Sequence, residues 1–153
     1  MPSDHEHIDT DMIQIAVNLD DISGEWLGHV LDKLLETGAA DVWYTPIFMK
    51  KNRPGYKLEV LCRETLLYDV RTILMNETTT LGFRWFPLSV YRAERSYREV
   101  QTMYGAIPVK QGWLEGQIVQ EAPEYEACMA AAERAGAPLK QVYQEVWRRL
   151  ADR

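Results

Sequence analysis

Hydrophobic and polar residues follow two different periods at the start of the chain. Between Ile13 and Leu19 apolar residues occupy every second position, which is typical of a strand with one buried face. Between Leu27 and Leu35 they recur at i, i+3, i+4, i+7 and i+8, which is the apolar stripe of an amphipathic helix. The pattern therefore predicts a strand followed by a helix.

The same two patterns recur in the next part of the chain. Residues 40–50 read as a second strand, the segment "NRPG" as a turn, and residues 56–63 as a third strand. A second helix follows over residues 64–76, then a loop, and then strands from Phe83 that we expect to break near Arg92–Ser96 and at "YGAI". The order strand, helix, strand, strand, helix, strand is typical of split β-α-β, ferredoxin-like folds.

The C-terminal region has a different pattern. Pro123 and Pro138 can each open a helix, and the second helix carries apolar residues at helical spacing from Leu139 to Leu150. We therefore predict an α+β fold: a ferredoxin-like split β-α-β core with an added β-hairpin and C-terminal helices. The expected organisation is a flexible tail over residues 1–12, a ferredoxin-like domain over 13–120, and a helical extension over 121–153 packed on that domain.

Composition and charge exclude some classes of partner. The chain has 17 Lys and Arg against 23 Asp and Glu, and its pI near 5.1 argues against general nucleic-acid binding. No apolar run approaches the roughly 20 residues of a membrane-spanning helix, so no membrane partner is expected. Cys62 and Cys128 are far apart in sequence, which favours free thiols in a reducing cytoplasm over a disulfide framework.

Positive charge is nevertheless concentrated in one stretch, "FMKKNRPGYKLEV". Lys50, Lys51, Arg53 and Lys57 lie within eight residues around a Pro-Gly pair. Lysine and arginine at such a turn can bind phosphate oxygens. A solvated hairpin tip that keeps the sheet edge soluble fits the same residues, so both interpretations stay open.

Two further segments could take part in phosphate chemistry. Asp20 and Asp21 stand where the first strand gives way to the helix, and there a carboxylate can bind a magnesium ion or simply cap the helix. The run Thr78–Thr80, before Gly82, offers hydroxyls and amides that can surround phosphates, although a threonine-rich connector is the simpler explanation. The sequence contains no GxxxxGK[ST], which excludes an ordinary P-loop.

Several of these stretches occur together in one order: "NLDDISGEWLG", "LLETGAADVWYTPIFMKKNRPGYKLEVLC", "ETTTLGFR", "YGAIPVK" and "PEYEAC". In that order they resemble the C-terminal domain of the LarC family, which makes the nickel-pincer nucleotide cofactor used by lactate racemase. The resemblance runs from about Gln14 to Arg149. It departs from the family at Ala16 and Val17, where an acidic or polar pair is usual.

The resemblance implies a nucleotide-binding role for the ferredoxin-like domain and a function for the chain. That function is nickel insertion into pyridinium-3,5-bisthiocarboxylate mononucleotide by a lyase of the cyclometallase type, with CTP hydrolysed to CMP and pyrophosphate. The expected cofactors are CTP with Mg²⁺ or Mn²⁺, and nickel is the inserted metal. The metal ligand is expected to be Asp20 or Asp21, and the catalytic phosphate contacts Lys50, Lys51 and Arg53. The other residues expected to hold the nucleotide are Glu77, Thr78, Thr79, Thr80, Arg84 and Arg92.

The resemblance also implies partners. Full-length members carry a larger N-terminal half, so nickel insertion is expected to need that half as well. A homo-oligomer, a trimer or a hexamer, is expected by the same analogy. Two alternatives remain: a nucleotide-binding or oligomerisation module without turnover of its own, and a ferredoxin-like sensor of a small molecule.

Overall fold

A computed structural model of the protein describes residues 6–152, except for the side chain of Glu6. In this part of the chain there are six strands and four helices. The strands are β1 (Glu6–Leu19), β2 (Asp41–Met49), β3 (Arg53–Arg63), β4 (Arg84–Thr102), β5 (Gly105–Leu114) and β6 (Gln117–Pro123). The helices are α1 (Gly24–Glu36), α2 (Leu67–Glu77), α3 (Tyr125–Ala135) and α4 (Leu139–Ala151). No helix among these residues is long and apolar enough to cross a membrane.

The strands follow the order β2-β3-β1-β4-β5-β6. Strand β3 pairs antiparallel with both β1 and β2, so the first four strands have the arrangement of the split β-α-β motif. Strands β5 and β6 form the added antiparallel hairpin beyond β4. The predicted α+β, ferredoxin-like fold is therefore confirmed.

The chain divides into two compact units at a different place from the one predicted. One unit, the ferredoxin-like unit, is Ile8–Val90. The other, which we call the C-terminal unit, contains the chain from Tyr91 onward and, among the described residues before Ile8, Glu6 and His7. Helices α3 and α4 share a core with the second half of β4 and with β5. That core contains Val100, Ile107, Val109, Cys128, Ala131, Ala132, Val142, Val146 and Leu150. The expected boundary at residue 120 is corrected to residue 90, because the hairpin and the C-terminal helices bury their apolar faces against each other.

The ferredoxin-like unit has its own core, which the sequence pattern anticipated. The alternating residues of β1 from Ile13 to Leu19 are buried, as are Leu27, Val30 and Leu34 of α1. Burying a side chain of this size stabilises the fold by about 1.5–3 kcal/mol. The apolar face of β1 and the apolar stripe of α1 therefore pack against each other in one core.

Two strand boundaries differ from the predictions. Strand β1 begins at Glu6, so the flexible tail expected over residues 1–12 is corrected for residues 6–12; residues 1–5 lie outside the described residues. Met12 is 1% exposed, so the buried part of the strand begins one residue before the predicted start. Strand β4 continues through Arg92–Ser96 without the expected break. Alternating charge does not interrupt a strand there, because neighbouring side chains leave the sheet on opposite faces.

The turn of the β2–β3 hairpin also lies elsewhere than predicted. Met49 pairs with Arg53, and the turn is the short 3₁₀ segment Lys50–Asn52, in which Lys51 and Asn52 have φ of 61° and 57°. Pro54 and the following glycine belong to β3 and not to the turn. The predicted "NRPG" turn is therefore corrected to "KKN".

Candidate functional site

Three loops meet at one end of the sheet in the ferredoxin-like unit. Strand β1 ends at Leu19, β3 begins at Arg53 and β4 begins at Arg84. Because β1 is antiparallel to β3 and is also the neighbour of β4, its end lies beside the starts of both strands. The segments "NLDD", "KKNR" and "TTTLGFR", which are separate in sequence, come together for this reason.

Three contacts join these loops. Arg53 Nη1 lies 3.4 Å from Asp20 Oδ2, and Arg84 Nη2 donates to Asn18 Oδ1 at 3.2 Å. The hydroxyl of Thr79 donates to Asp21 Oδ1. The polar cluster formed in this way consists of Asn18, Asp20, Asp21, Arg53, Thr79 and Arg84. Five of these six residues were predicted from the sequence.

Asn18 is the member that the sequence interpretation left out. It stands two positions before Asp20 at the end of β1, and its amide oxygen accepts the hydrogen bond from Arg84. The signal was available, because strand residues two apart leave the sheet on the same face. A polar residue two positions before the aspartate therefore pointed to the same edge.

The threonine loop holds its own shape through two of its hydroxyls. Thr78 is buried; its Oγ1 donates to the carbonyl of Leu74 at 2.6 Å and accepts from the backbone N–H of Thr80 at 3.2 Å. Thr80 Oγ1 donates to the carbonyl of Gly82 at 2.6 Å. Thr79 is exposed and is the threonine that contacts an aspartate. Thr78 and Thr80 shape the loop, while Thr79 faces the polar cluster.

Glu77 is joined to helix α1. Its carboxylate accepts from Lys33 Nζ at 2.5 Å and lies 3.3 Å from His29 Nε2, and its carbonyl accepts from the indole of Trp26 at 2.7 Å. The hydrogen bond from Lys33 holds the pKa of Glu77 below its usual value. Sequence spacing could not reveal these partners, because they depend on the packing of α2 beside α1.

Lys50 and Lys51 occupy the hairpin turn, and both are exposed. Among the described side chains neither has a hydrogen-bond or ion-pair partner. In a turn they are not forced onto opposite faces as strand neighbours would be. Beside the hairpin lies a cavity of about 330 Å³, lined by Leu19, Asp20 and Ile22 and by the ranges 46–48 and 54–56. This volume is at the lower end of the range for small-ligand sites.

Gly55 brings the hairpin against the end of β1. A Cβ at this position would lie 2.5 Å from the carbonyl oxygen of Leu19 and 3.2 Å from the Cα of Asp20. No other residue type fits there without moving the backbone. Gly55 is thus a positioning residue that the sequence interpretation had assigned to a turn.

Lys57, the fourth cation of the segment, forms an ion pair within the ferredoxin-like unit. Its Nζ lies 3.2 Å from Glu59, which also accepts from Gln14 at 2.8 Å and from the indole of Trp43 at 3.0 Å. Burial opposes the ionisation of Glu59, but hydrogen bonds from Lys57, Gln14 and Trp43 outweigh it and lower the pKa of this carboxyl. Lys57 therefore neutralises a buried acid.

Arg92, which was grouped with the nucleotide contacts, belongs to the C-terminal unit. It lines a cavity of about 210 Å³ there together with Arg95 and Lys110. The family resemblance grouped it with Arg84, and the division of β4 between two units is not visible from the sequence.

The residues present fit a metal ion that is bound together with phosphate. The described residues include no group of three or more His, Cys, Asp or Glu side chains able to form a metal site on their own. Asp20 and Asp21 supply two carboxylates at one sheet edge. Magnesium and manganese sites commonly use one or two carboxylates and take their remaining ligands from phosphate and water. The polar cluster can therefore bind a metal–polyphosphate complex.

Comparison with known proteins identifies the family. The family model described as nickel insertion protein matches residues 2–143. A pyridinium-3,5-bisthiocarboxylic acid mononucleotide nickel insertion protein from Thermotoga petrophila is 43% identical over 140 residues, 92% of this chain and 35% of the relative. One of the same name from Acetivibrio thermocellus is 40% identical over 141 residues, 92% of this chain and 34% of the relative. The chain belongs to the nickel insertion protein family, also called LarC, and spans about a third of the length of these relatives.

Solved structures agree with this assignment. The apo form of LarC2, the C-terminal domain of a cyclometallase involved in the synthesis of the NPN cofactor of lactate racemase, matches with a TM-score of 0.88 and 34% identity. The match covers 96% of this chain and 99% of that structure. A protein from Methanopyrus kandleri matches with a TM-score of 0.70 and 28% identity over 94% of this chain and 89% of that one. The chain therefore corresponds to the C-terminal domain of the family.

Proposed function

We propose that this chain binds CTP together with Mg²⁺ or Mn²⁺ at the polar cluster of the ferredoxin-like unit. In this proposal it serves a nickel insertion protein that acts on pyridinium-3,5-bisthiocarboxylic acid mononucleotide, the substrate named for the relatives. Nickel is the cargo of that reaction and not a resident cofactor of this chain. The cytoplasmic location expected from the sequence is part of the same proposal.

One observation carries the proposal: two carboxylates and the cations of two separate segments converge on a single sheet edge. Asp20 pairs with Arg53, and Arg84 is held by Asn18. Lys50 and Lys51 extend the positive charge along the adjacent turn. In an acidic protein of net charge −6, this is a local arrangement suited to a metal-bound polyphosphate.

The ligand-free contacts suggest how binding proceeds. The ion pair between Arg53 and Asp20, at 3.4 Å, is exposed to solvent. It therefore contributes little to stability and can be replaced by contacts with a ligand. On binding, Arg53 would turn from the carboxylate of Asp20 to a phosphate oxygen, and Asp20 would then be free to hold the metal. Asp21 would exchange its hydrogen bond with Thr79 for a contact with the metal in the same way. The adjoining cavity, with Phe48 and Tyr56 on its wall, accommodates the ribose or the base.

The hydrolytic step transfers the cytidylyl group of CTP to water. Water attacks the α-phosphorus and loses a proton to solvent, the bond to the bridging oxygen breaks, and pyrophosphate leaves with the electron pair. Lys50, Lys51 and Arg53 stabilise the negative charge that develops on pyrophosphate. The metal, when bound, neutralises phosphate charge and orients the chain of phosphates.

A module without turnover of its own is the second candidate. The chain spans 35% of the Thermotoga petrophila relative, so the activity named for that relative belongs to a protein that also contains residues outside the matched segment. In this version the ferredoxin-like unit binds CTP, and the chemistry requires the N-terminal half of the family. Assembly of the chain into a trimer or hexamer is a further part of the proposal, and light scattering tests it.

Titration calorimetry with CTP and Mn²⁺ tests the binding proposal. We expect saturable binding to the wild-type chain and a roughly tenfold or greater loss in Lys50→Ala and in Lys51→Ala, because each removes a charged contact worth about 1.5–3 kcal/mol. Lys140→Ala removes an exposed charge from α4 and is the matched control. No detectable heat with CTP in the wild type would contradict the proposal. Binding without release of pyrophosphate until the N-terminal half is added would select the second candidate.

A further inference from the structure

One face of the sheet in the C-terminal unit carries basic and polar residues. Arg95 pairs with Gly112 and Tyr97 pairs with Lys110 across β4 and β5, and Gly112 pairs with Gln120 of β6. Directly paired residues of antiparallel strands share a face of the sheet. These five residues therefore lie on the same face, which we call the cationic face.

The helices cover the opposite face. Val100, Ile107 and Val109 belong to the core that contains residues of α3 and α4. Val100 alternates out of phase with Arg95 and Tyr97, and Ile107 and Val109 alternate out of phase with Lys110, so their side chains leave the sheet on the other side. The cations of the cationic face therefore lie on the side of the sheet opposite to the residues that pack against α3 and α4.

A cavity of about 210 Å³ lies on this face. Arg92, Arg95, Lys110, Gly112 and Gln120 are among the residues that line it. Gly112 of β5 has no side chain, which leaves room between Arg95 on β4 and Gln120 on β6. The volume is below the range of about 300–1,000 Å³ for sites that enclose a drug-sized ligand. It suits a single charged group rather than a whole nucleotide.

The charge of the cavity is only partly compensated. Lys110 Nζ lies 3.8 Å from Glu124 Oε1, at the outer limit of an ion pair. Arg95 has no hydrogen-bond or ion-pair partner among the described side chains. Arg92 has a partner of its own, so Arg95 and Lys110 carry the argument. Glu99 is the acid that shares the face on β4, and it pairs with Pro108, beyond Tyr97.

We propose that the cationic face is a second anion site, which binds a phosphate or pyrophosphate group through Arg95 and Lys110. The fork of Arg95 and the ammonium of Lys110 lie on adjacent strands and can contact different oxygens of one group. Gln120 adds an amide donor, and the bare backbone at Gly112 allows the group to approach the sheet. Among the described residues Glu124 is the acid within ion-pair distance of these cations, and a single carboxylate already paired with Lys110 does not make a metal site, so the site takes the anion without a metal.

Backbone amide chemical shifts of the ¹⁵N-labelled chain, titrated with inorganic pyrophosphate in the presence of EDTA, test the proposal. We expect saturable shifts at Tyr97, Lys110 and Gly112. The variants Arg95→Ala and Lys110→Ala are each expected to weaken this binding about tenfold or more. Lys140→Ala serves as the charge-matched control and is expected to leave the binding unchanged.

Gly112→Ala is a second variant that does not depend on charge. Its Cβ would lie 3.5 Å from Gln120 Cβ, an ordinary contact, so the fold is retained while the floor of the cavity is raised. Weaker pyrophosphate binding with an unchanged unfolding midpoint supports the proposal. If Gly112→Ala and Arg95→Ala each bind pyrophosphate as tightly as the wild type, the proposal is overturned.

Further titrations distinguish the source of the group and separate this site from the polar cluster. Inorganic phosphate, pyrophosphate and CMP are compared, because a free product and a nucleotide phosphate share the same chemistry. Shifts confined to Lys51 and Gly82 would place the anion at the polar cluster and contradict a second site. Shifts at Gly112 that persist in Lys51→Ala support two independent sites, whatever the outcome with CTP.

Discussion

The protein contains two clusters of positive charge that differ in what lies beside them. At the polar cluster Arg53 faces Asp20, and Asp21 is adjacent. On the cationic face Lys110 reaches a single acid at 3.8 Å, and Arg95 has none among the described side chains. The difference is one of chemistry: two carboxylates beside cations suit a metal–phosphate complex, and cations with a single acid at the limit of an ion pair suit a bare phosphate.

The two sites also use glycine differently. Gly55 stands where a Cβ would lie 2.5 Å from a backbone oxygen, so its absence of a side chain is required by the fold. At Gly112 a Cβ would make an ordinary contact at 3.5 Å, so glycine there leaves space without being required. The polar cluster is therefore built into the packing of the strands, and the cationic face is a surface feature that single substitutions can alter.

Removal of the metal is expected to have the largest effect and to separate the two sites. With EDTA in excess, CTP binding at the polar cluster should weaken at least about 100-fold, because the metal contributes several kcal/mol of charge stabilisation. Pyrophosphate binding at the cationic face should not change. Calorimetry with each ligand, with and without EDTA, measures both. Equal metal dependence at the two sites would remove the distinction between them.

The glycine pair gives the next largest effect. Gly55→Ala should lower the free energy of unfolding by about 1–3 kcal/mol, because the new methyl group forces the backbone of β3 away from Leu19. It should also weaken CTP binding, since the hairpin carries Lys50 and Lys51. Gly112→Ala, the matched substitution in the other unit, should change unfolding by less than about 0.5 kcal/mol. Urea denaturation of both variants checks the contrast, and equal losses would contradict it.

Much of the polar cluster could be predicted because the topology follows from the order of elements. Once residues 13–83 were assigned as strand, helix, strand, strand and helix before a further strand, the end of the first strand and the start of the last had to meet. Asp20, Arg53 and Arg84 were grouped at one site by the family resemblance, and the topology gives the physical reason why the structure places them at one sheet edge. Each of these residues lies at or next to a strand end.

Other features depended on packing that no local pattern encodes. The unit boundary at residue 90 follows from the core shared by β5 and α3–α4, and alternation on β4 is the same on either side of it. Glu77 was grouped with the threonines next to it in sequence, but its partners Lys33 and His29 lie on another helix. The requirement for Gly55 comes from the carbonyl of Leu19, 36 positions away in sequence.

The two aspartates offer a sharper test of the polar cluster. Asp21→Asn keeps an acceptor for Thr79 but removes the charge, so it should weaken Mn²⁺–CTP binding about tenfold if Asp21 is a metal ligand. Asp20→Asn should free Arg53. The loss of a metal ligand would weaken binding, whereas a better contact between Arg53 and phosphate would strengthen it. Calorimetry with Mn²⁺–CTP is the measurement. If Asp21→Asn binds normally and only loses stability, its role is to hold the loop.

The ion pair between Lys57 and Glu59 gives the smallest expected effect, because it stabilises the fold and lies outside both anion sites. Glu59 has a lowered pKa, so its interactions stabilise the folded state above its usual value near 4.5 and are lost as the pH falls below that value. The wild-type free energy of unfolding should therefore decrease between about pH 5 and pH 3. Glu59→Gln should show a shallower decrease and a loss of about 1 kcal/mol at pH 7. Its CTP and pyrophosphate affinities should match the wild type, because the pair formed by Lys57 and Glu59 belongs to neither anion site. A change in either affinity would mean that Lys57 takes part in binding and that the hairpin provides more than the cations of its turn.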